Sequence, residues 1–255
     1  TSFVPKGKIE LALEGSKIAA VVEEQIVQGA EQEVDPTIAA KYERTPSSFD
    51  RTVEPPFGPT PEVKLPIIWE SKLSNGMRVY GIENVEVPLV QFEIVMDGGL
   101  LLEDINKVGV SQLLGQLMTQ GTAKRTPVEL EEAIQQLGAT INVGAGTEDF
   151  RFRVNTLARN FAPTLALLEE MLLEPRWDAK EFDLIKQRTI ASIRQQEALP
   201  NSIAQIEFNK LVYGESDIRS KNPLGSIASV NSITMDDLKA YYARNLSPSV
   251  ARMHL

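Results

Sequence analysis

The sequence predicts an α+β fold, a mixed, mainly antiparallel sheet covered on one face by helices. Three observations predict it. Val90, Phe92, Ile94 and Met96 alternate over 88–96, and Phe150, Phe152 and Val154 alternate with Arg151, Arg153 and Asn155 over 148–157. That is the period of a strand with one buried face. Other segments repeat their apolar residues every three to four positions, as helices packing on one side do. Strands come first, and hairpins mix with crossovers, which suits helices segregated to one face of the sheet.

Taken in order, residues 9–29 carry Ile9, Leu11, Leu13, Ile18, Val21, Val22 and Ile26 without a proline. They are read as a helix interrupted near Gly15. From 35 to 66 the composition changes, with seven of the fifteen prolines there (Pro36, Pro46, Pro55, Pro56, Pro59, Pro61, Pro66). Proline fixes φ and removes a donor, so an extended linker is expected. The chain is therefore divided into 1–66, an N-terminal helix and Pro-rich linker, and 67–255, the α+β unit.

Asn75-Gly76 between two apolar runs predicts a hairpin over 67–82 with a type I′ turn. Thr126-Pro-Val-Glu129 is a capping box that opens a helix ending at Gly138. Strands are expected at 139–145 and 148–157. A helix with Phe161, Leu165, Leu168 and Leu172 on its buried face follows, ending at Pro175. Asp178 and Glu181 cap a long helix to about Glu197. A helix over 202–212, another opened by Thr234, and a strand from Ser249 complete the unit.

Composition narrows the function. A net charge of -9 argues against nucleic acid and anionic membrane surfaces as partners. No apolar run reaches the roughly 18 residues of a membrane span, so membrane insertion is not expected. Cysteine is absent, which excludes disulfides, thiolate metal sites and Cys nucleophiles. His254 is the single imidazole, with no carboxylate near it in sequence, so packing or chance explains it best. Glu129, Glu131, Glu132, Glu169 and Glu170 read as solvated helix faces. Arg151 and Arg153 read as an outward strand face, and Gly144-Ala-Gly146 reads as a turn.

The central stretch runs from Gly109 to Thr122. Val110, Leu113, Leu114, Leu117 and Met118 form the buried stripe of one helix, closed by Gly121. Gln112 and Gln116 share one face of it. An amide oxygen is a poor zinc ligand, and Gly115 between them offers no carboxylate as general base.

The frame Gly-x-x-x-x-Leu-x-x-x-Met-x-x-Gly-Thr resembles the metal-site helix of the pitrilysin-type zinc peptidases, the insulinase and mitochondrial processing peptidase family. There it carries His-x-x-Glu-His; here those five positions read Gln112-Leu113-Leu114-Gly115-Gln116. Further segments resemble the same family in the same order: Leu73-Ser-Asn-Gly-Met-Arg-Val, Leu137-Gly-Ala-Thr-Ile-Asn142, Leu211-Val-Tyr-Gly with Pro223-Leu-Gly-Ser-Ile, and Thr234-x-x-Asp-Leu-x-x-Tyr. Phe3-Val-Pro-Lys and the proline-rich stretch resemble the passage between tandem units.

The resemblance places a third zinc ligand, a Glu, roughly 76 residues beyond the second motif His. Counted from Gln116 that position is Ser192, and a supporting Glu one heptad earlier falls on Ile185. The resemblance thus implies an inactive unit: no catalytic residue, no metal and no cofactor in this chain, with zinc in a catalytic metallopeptidase subunit or domain that pairs with it. It implies peptide substrate held weakly beside the strand at Thr140, Ile141, Asn142, Val143 and Gly144, where Gly144 and Gly146 suggest a bulge. It further implies about half of one such unit plus its linker, and a periplasmic or secreted location. A scaffold that keeps the fold without any role in proteolysis is the alternative.

Overall fold

The computed structural model describes residues 9–14, 17–22, 49–50, 52–54, 58–59, 62 and 65–255. The chain divides into two units, 1–62 and 63–255. In the first, β1 (Ile9–Glu14) pairs antiparallel with β2 (Lys17–Val22), which corrects the expected helix. Ile9, Leu11 and Leu13 alternate with Glu10, Ala12 and Glu14. That period of two, on a run ended by Gly15, outweighs the missing proline on which the helix rested. The remainder of that segment and most of the expected linker lie outside the described residues.

The second unit holds a six-stranded sheet of β3 (Ile68–Lys72), β4 (Arg78–Ile82), β5 (Leu89–Asp97), β6 (Thr140–Ala145), β7 (Asp149–Leu157) and β8 (Ala251–His254). Their order is β3-β4-β8-β5-β7-β6. Only β4–β8 is parallel. The last strand of the chain is inserted between the second and third, and β3 and β6 form the edges. The β3–β4 hairpin forms as expected, but its turn is not type I′. Gly76 N–H donates to the Leu73 carbonyl at 3.0 Å and Leu73 N–H to the Met77 carbonyl at 2.9 Å. Gly76 alone has positive φ (93°). This is a three-residue loop in which Ser74-Asn75 turn and Gly76 supplies the left-handed residue.

Seven α-helices occur among the described residues: α1 (Val110–Leu117), α2 (Pro127–Gln136), α3 (Phe161–Leu173), α4 (Ala179–Glu197), α5 (Pro200–Tyr213), α6 (Ile227–Ser232) and α7 (Met235–Asn245). Their starts follow from side-chain chemistry. Thr126 and Glu129 form a full capping box on α2, and Thr234 and Asp237 form one on α7. Asp178 accepts from Lys180 N–H and Glu181 N–H at the head of α4. The head of α1 is capped from a distance. Glu103 accepts from Gly109 N–H and from Ser111 N–H, both at 2.7 Å. Burial pushes the Glu103 carboxyl above its ordinary value, opposed by the hydrogen bonds from that helix start.

One face of the sheet is apolar and lies under the helices. Phe92, Ile94, Met96, Phe150, Phe152, Val154 and Met253 join Leu113, Leu114 and Leu117 of α1, Ile185 and Ile193 of α4, and Leu238 of α7 in one core. The opposite face is polar and centred on Glu93. Its carboxylate lies 3.0 Å from His254 Nδ1, 3.3 Å from Arg153 Nε and 3.7 Å from an Arg151 nitrogen. The register places Glu93 directly opposite His254 on one side and Arg153 on the other. His254 is therefore a hydrogen-bond partner of Glu93 brought in by β8, not a chance residue. Glu170 is corrected too: its carboxylate accepts from Thr122 Oγ1 and lies 3.4 Å from Arg125 Nε, so it pins the loop after α1 instead of facing solvent.

Two tests follow. Glu103→Ala leaves two backbone donors at the start of α1 unpaired and should cost about 1–3 kcal/mol, read by urea unfolding at pH 7. The hydrogen bond with His254, with smaller help from Arg153 and Arg151 and against the effect of burial, holds the Glu93 carboxyl below its ordinary value. A depressed carboxylate stabilises the fold above the unfolded value of about 4.3 and loses that contribution as pH falls through the folded value. Glu93→Gln should therefore be less stable than the wild type at pH 7, with the gap closing below about pH 4.

Candidate functional site

The residues singled out from the sequence meet where α1 crosses β6. Leu113, Leu114, Leu117 and Met118 are at most 1% exposed, so the apolar stripe fixes the rotation of the helix about its axis. That rotation turns Gln112 and Gln116, both half-buried, toward the rim of the sheet. The helix ends at Leu117, and a turn carries the chain to Gly121, whose φ is 95°.

Gln112 Nε2 donates to the Ala145 carbonyl oxygen at 2.7 Å, tying the helix to the end of β6. Gly115 is buried one turn further along. A Cβ at Gly115 would lie 3.4 Å from Gly144 Cα and 3.7 Å from Phe150 Cζ. A methyl group would therefore sit in ordinary van der Waals contact there. The Gln116 side chain makes no hydrogen bond among the described residues, and its carbonyl accepts from Thr119 Oγ1 at 2.7 Å.

Ser192 does not join this cluster. It lies on the exposed side of α4, whose buried face is Phe182, Ile185, Thr189 and Ile193. The next residue, Ile193, lies on the buried face and is 1% exposed. Ile185 is buried as a core residue.

The donor set does not fit the zinc ion that the His-x-x-Glu-His form of the motif carries. The two ligand positions are amides, one of them donating to a backbone carbonyl, and the base position is a glycine that supplies no carboxylate. The third position, Ser192, lies on the exposed side of α4. Among the described residues no group of three His, Cys, Asp or Glu is placed to hold a metal.

The expected peptide strip is the free edge of the sheet. Thr140, Ile141, Asn142, Val143 and Gly144 all lie on β6, which pairs with β7 along one side only. Its register runs unbroken from Thr140 opposite Asn155 to Ala145 opposite Phe150. The bulge expected from Gly144 and Gly146 is therefore absent. Gly146 ends the strand instead, its N–H donating to the Asp149 carbonyl at 2.7 Å. Beside the edge is an open groove of about 480 Å3, lined by Asn142, Gly144, Thr147, Asp149, Arg151 and Arg153 among others. Asp149 holds Arg151 through two bonds of 2.6 Å. Arg153 reaches further into solvent.

Comparison with known proteins agrees with this geometry. The chain is 24% identical over 183 residues to a "Non-peptidase homolog YmxG" of Helicobacter pylori, covering 72% of this chain and 39% of that protein. It is 25% identical over 203 residues to the mitochondrial-processing peptidase subunit beta of Dictyostelium discoideum, covering 78% of this chain and 41% of that one. The crystal structure of a peptidase M16 inactive domain from Pseudomonas fluorescens shares the fold with a TM-score of 0.70 at 22% identity, over 74% of this chain and 46% of that chain. The chain thus spans less than half the length of each of these proteins. Residues 78–218, which carry α1, β6, β7 and α4, match the family described as Insulinase (Peptidase family M16), and the chain belongs to that family.

Proposed function

We propose that this chain is a non-catalytic unit that pairs with a zinc-bearing catalytic unit of the same family and holds peptide along the β6 edge. One observation carries the reading. At the first motif position, Gln112 donates to the Ala145 carbonyl, so the helix that bears metal ligands in the resembled motif serves here as a strut for the edge strand. The amide keeps the helix against the strand while supplying no metal chemistry. The similarity to a protein named a non-peptidase homologue supports the same reading.

An edge strand offers unpaired N–H and C=O groups, and an extended peptide can add to it whatever its side chains. The unbroken register of β6 suits such addition. Contact is therefore weak and sequence-tolerant, with Arg153 at the groove as the group that favours an acidic side chain. Zinc resides in the catalytic partner, and the pair works in the periplasm or outside the cell.

The metal reading has two tests. The isolated chain should retain well under one zinc per chain after dialysis, measured by elemental analysis. Adding Ser192→Glu to the Gln112→His and Gln116→His double variant should not tighten zinc binding, because position 192 points away from α1, whereas Ile193→Glu should tighten it. Gly115→Glu should cost at least about 2 kcal/mol in unfolding, since it buries a carboxylate against Gly144 and Phe150 without a partner.

The peptide reading is tested by titrating an extended peptide and following backbone amides by NMR. Shifts should concentrate in 140–146, and Gln112→Ala should broaden or weaken them by loosening the strut. Shifts elsewhere, with 140–146 untouched, would leave the scaffold alternative standing.

A further inference from the structure

The polar face of the sheet carries a gap at its open edge. Ile141, Val143 and Ala145 of β6 pack toward the core, so by the period of two Asn142 and Gly144 lie on the opposite, polar face. The register sets Gly144 opposite Arg151 and Asn142 opposite Arg153. A Cβ built at Gly144 meets nothing within 4 Å. Its φ is not left-handed, so neither a turn nor crowding on that face requires a glycine there.

The two arginines behind the gap have donors to spare. Arg151 Nε and Nη2 donate to the two oxygens of Asp149, both at 2.6 Å. Arg153 Nε donates to Glu93 at 3.3 Å. The remaining guanidinium N–H groups make no hydrogen bond among the described residues, and a guanidinium cannot accept one. The neighbouring carboxylates are already committed, Asp149 to Arg151, and Glu93 to His254 as well as Arg153. Arg153 is the more open of the pair, its side chain 62% exposed against 36% for Arg151. What this corner of the groove lacks is an acceptor, and Gly144 leaves the space for one.

We infer that Gly144 opens a specificity subsite for an acidic side chain of the bound peptide. The inference rests on the β6-edge reading above and adds the chemistry of one peptide residue. Strands in a sheet lie about 4.8 Å apart, so a peptide residue paired with Gly144 stands about 10 Å from Arg151, with no side chain on the strand between them. Its own side chain projects on the polar face, because paired residues share a face. A glutamate there extends over Gly144 and brings its carboxylate to the free N–H groups of Arg153. Arg151, held in place by Asp149, bounds the other side. A planar guanidinium offers paired N–H groups that match a carboxylate. At Asn142 a side chain stands on the strand between peptide and arginine, so the preference falls on the residue facing Gly144.

The test uses the full chain and two probes, acetyl-Thr-Val-Thr-Glu-Thr-Val-Thr-amide and the same peptide with Gln at its centre. Affinities are read from the backbone amides of 140–146 by NMR. The Glu peptide should bind about five-fold tighter at low salt, as a half-exposed ion pair allows, and the difference should shrink as salt screens it. Gly144→Val and Arg153→Gln should each bring the two peptides to equal affinity. Gly144→Val should do so without loss of thermal stability, since valine suits an open strand position. If both peptides shift 140–146 of the wild type with equal affinity, the acidic subsite is overturned while the edge reading stands. If Gly144→Val keeps the preference and Arg153→Gln loses it, the carboxylate reaches Arg153 without the gap and the role given to Gly144 is wrong. If neither peptide shifts 140–146, the edge reading fails and this inference with it.

Discussion

The close approach of α1 to β6 is the contact on which the rest of the second unit depends. Gly115 faces the Gly144 backbone there, where an added Cβ would already lie in van der Waals contact at 3.4 Å from Gly144 Cα. Once α1 is seated, Leu113, Leu114, Leu117 and Met118 are closed off from solvent and form the centre of the core. Polar bonds fix both ends of the crossing. Glu103 accepts from the first helical N–H groups, and Gln112 donates to the last residue of β6. Packing and polar satisfaction specify the same helix position, which is how a sequence selects one arrangement over near alternatives.

The sheet obeys a second constraint. Its inner face must bury Phe92, Phe150 and Phe152, so by the period of two its outer face receives Glu93, Arg151, Arg153, Arg252 and His254. Val95 breaks the alternation in chemistry but not in physics. It points outward, yet it is only 1% exposed, because its cross-strand neighbours are Arg151 and Arg252. The aliphatic stems of long cations can cover such a residue while their heads stay in water and meet Asp149 and Asp97. The polar face is therefore a connected layer with Glu93 at its hub.

Much of this was legible in the sequence where the cause is local. Capping boxes at Thr126 and Thr234, the alternation in β5 and β7, and the stripe of α1 depend on residues within one turn or one strand. Non-local causes left less trace. Nothing near His254 in the chain announces Glu93, because the two meet only through the insertion of β8 beside β5. Glu170 looked like part of a solvated face because Thr122 and Arg125 are some 45 residues away or more. In the β1–β2 pair two local signals compete: seven apolar residues without proline favour a helix, and the alternation at 9–14 favours a strand, which forms. At the site, the sequence count to Ser192 carries no information on burial, and Ser192 lies on the exposed side of α4.

The degenerate positions share a logic that the individual substitutions do not show. A metal site concentrates charge in a dry place and holds it by coordination, at the expense of packing freedom around it. Here the positions that the resembled motif gives to metal chemistry carry amide, glycine and aliphatic groups that pack. Gln112 satisfies a backbone carbonyl, Gly115 faces the Gly144 backbone, and Ile185 is a buried apolar residue. No buried carboxylate remains there in need of a cation. The crossing is thus stable as it stands, and the strand it supports keeps its outer edge open. What the family fold retains in this chain is a positioned edge strand beside a polar groove.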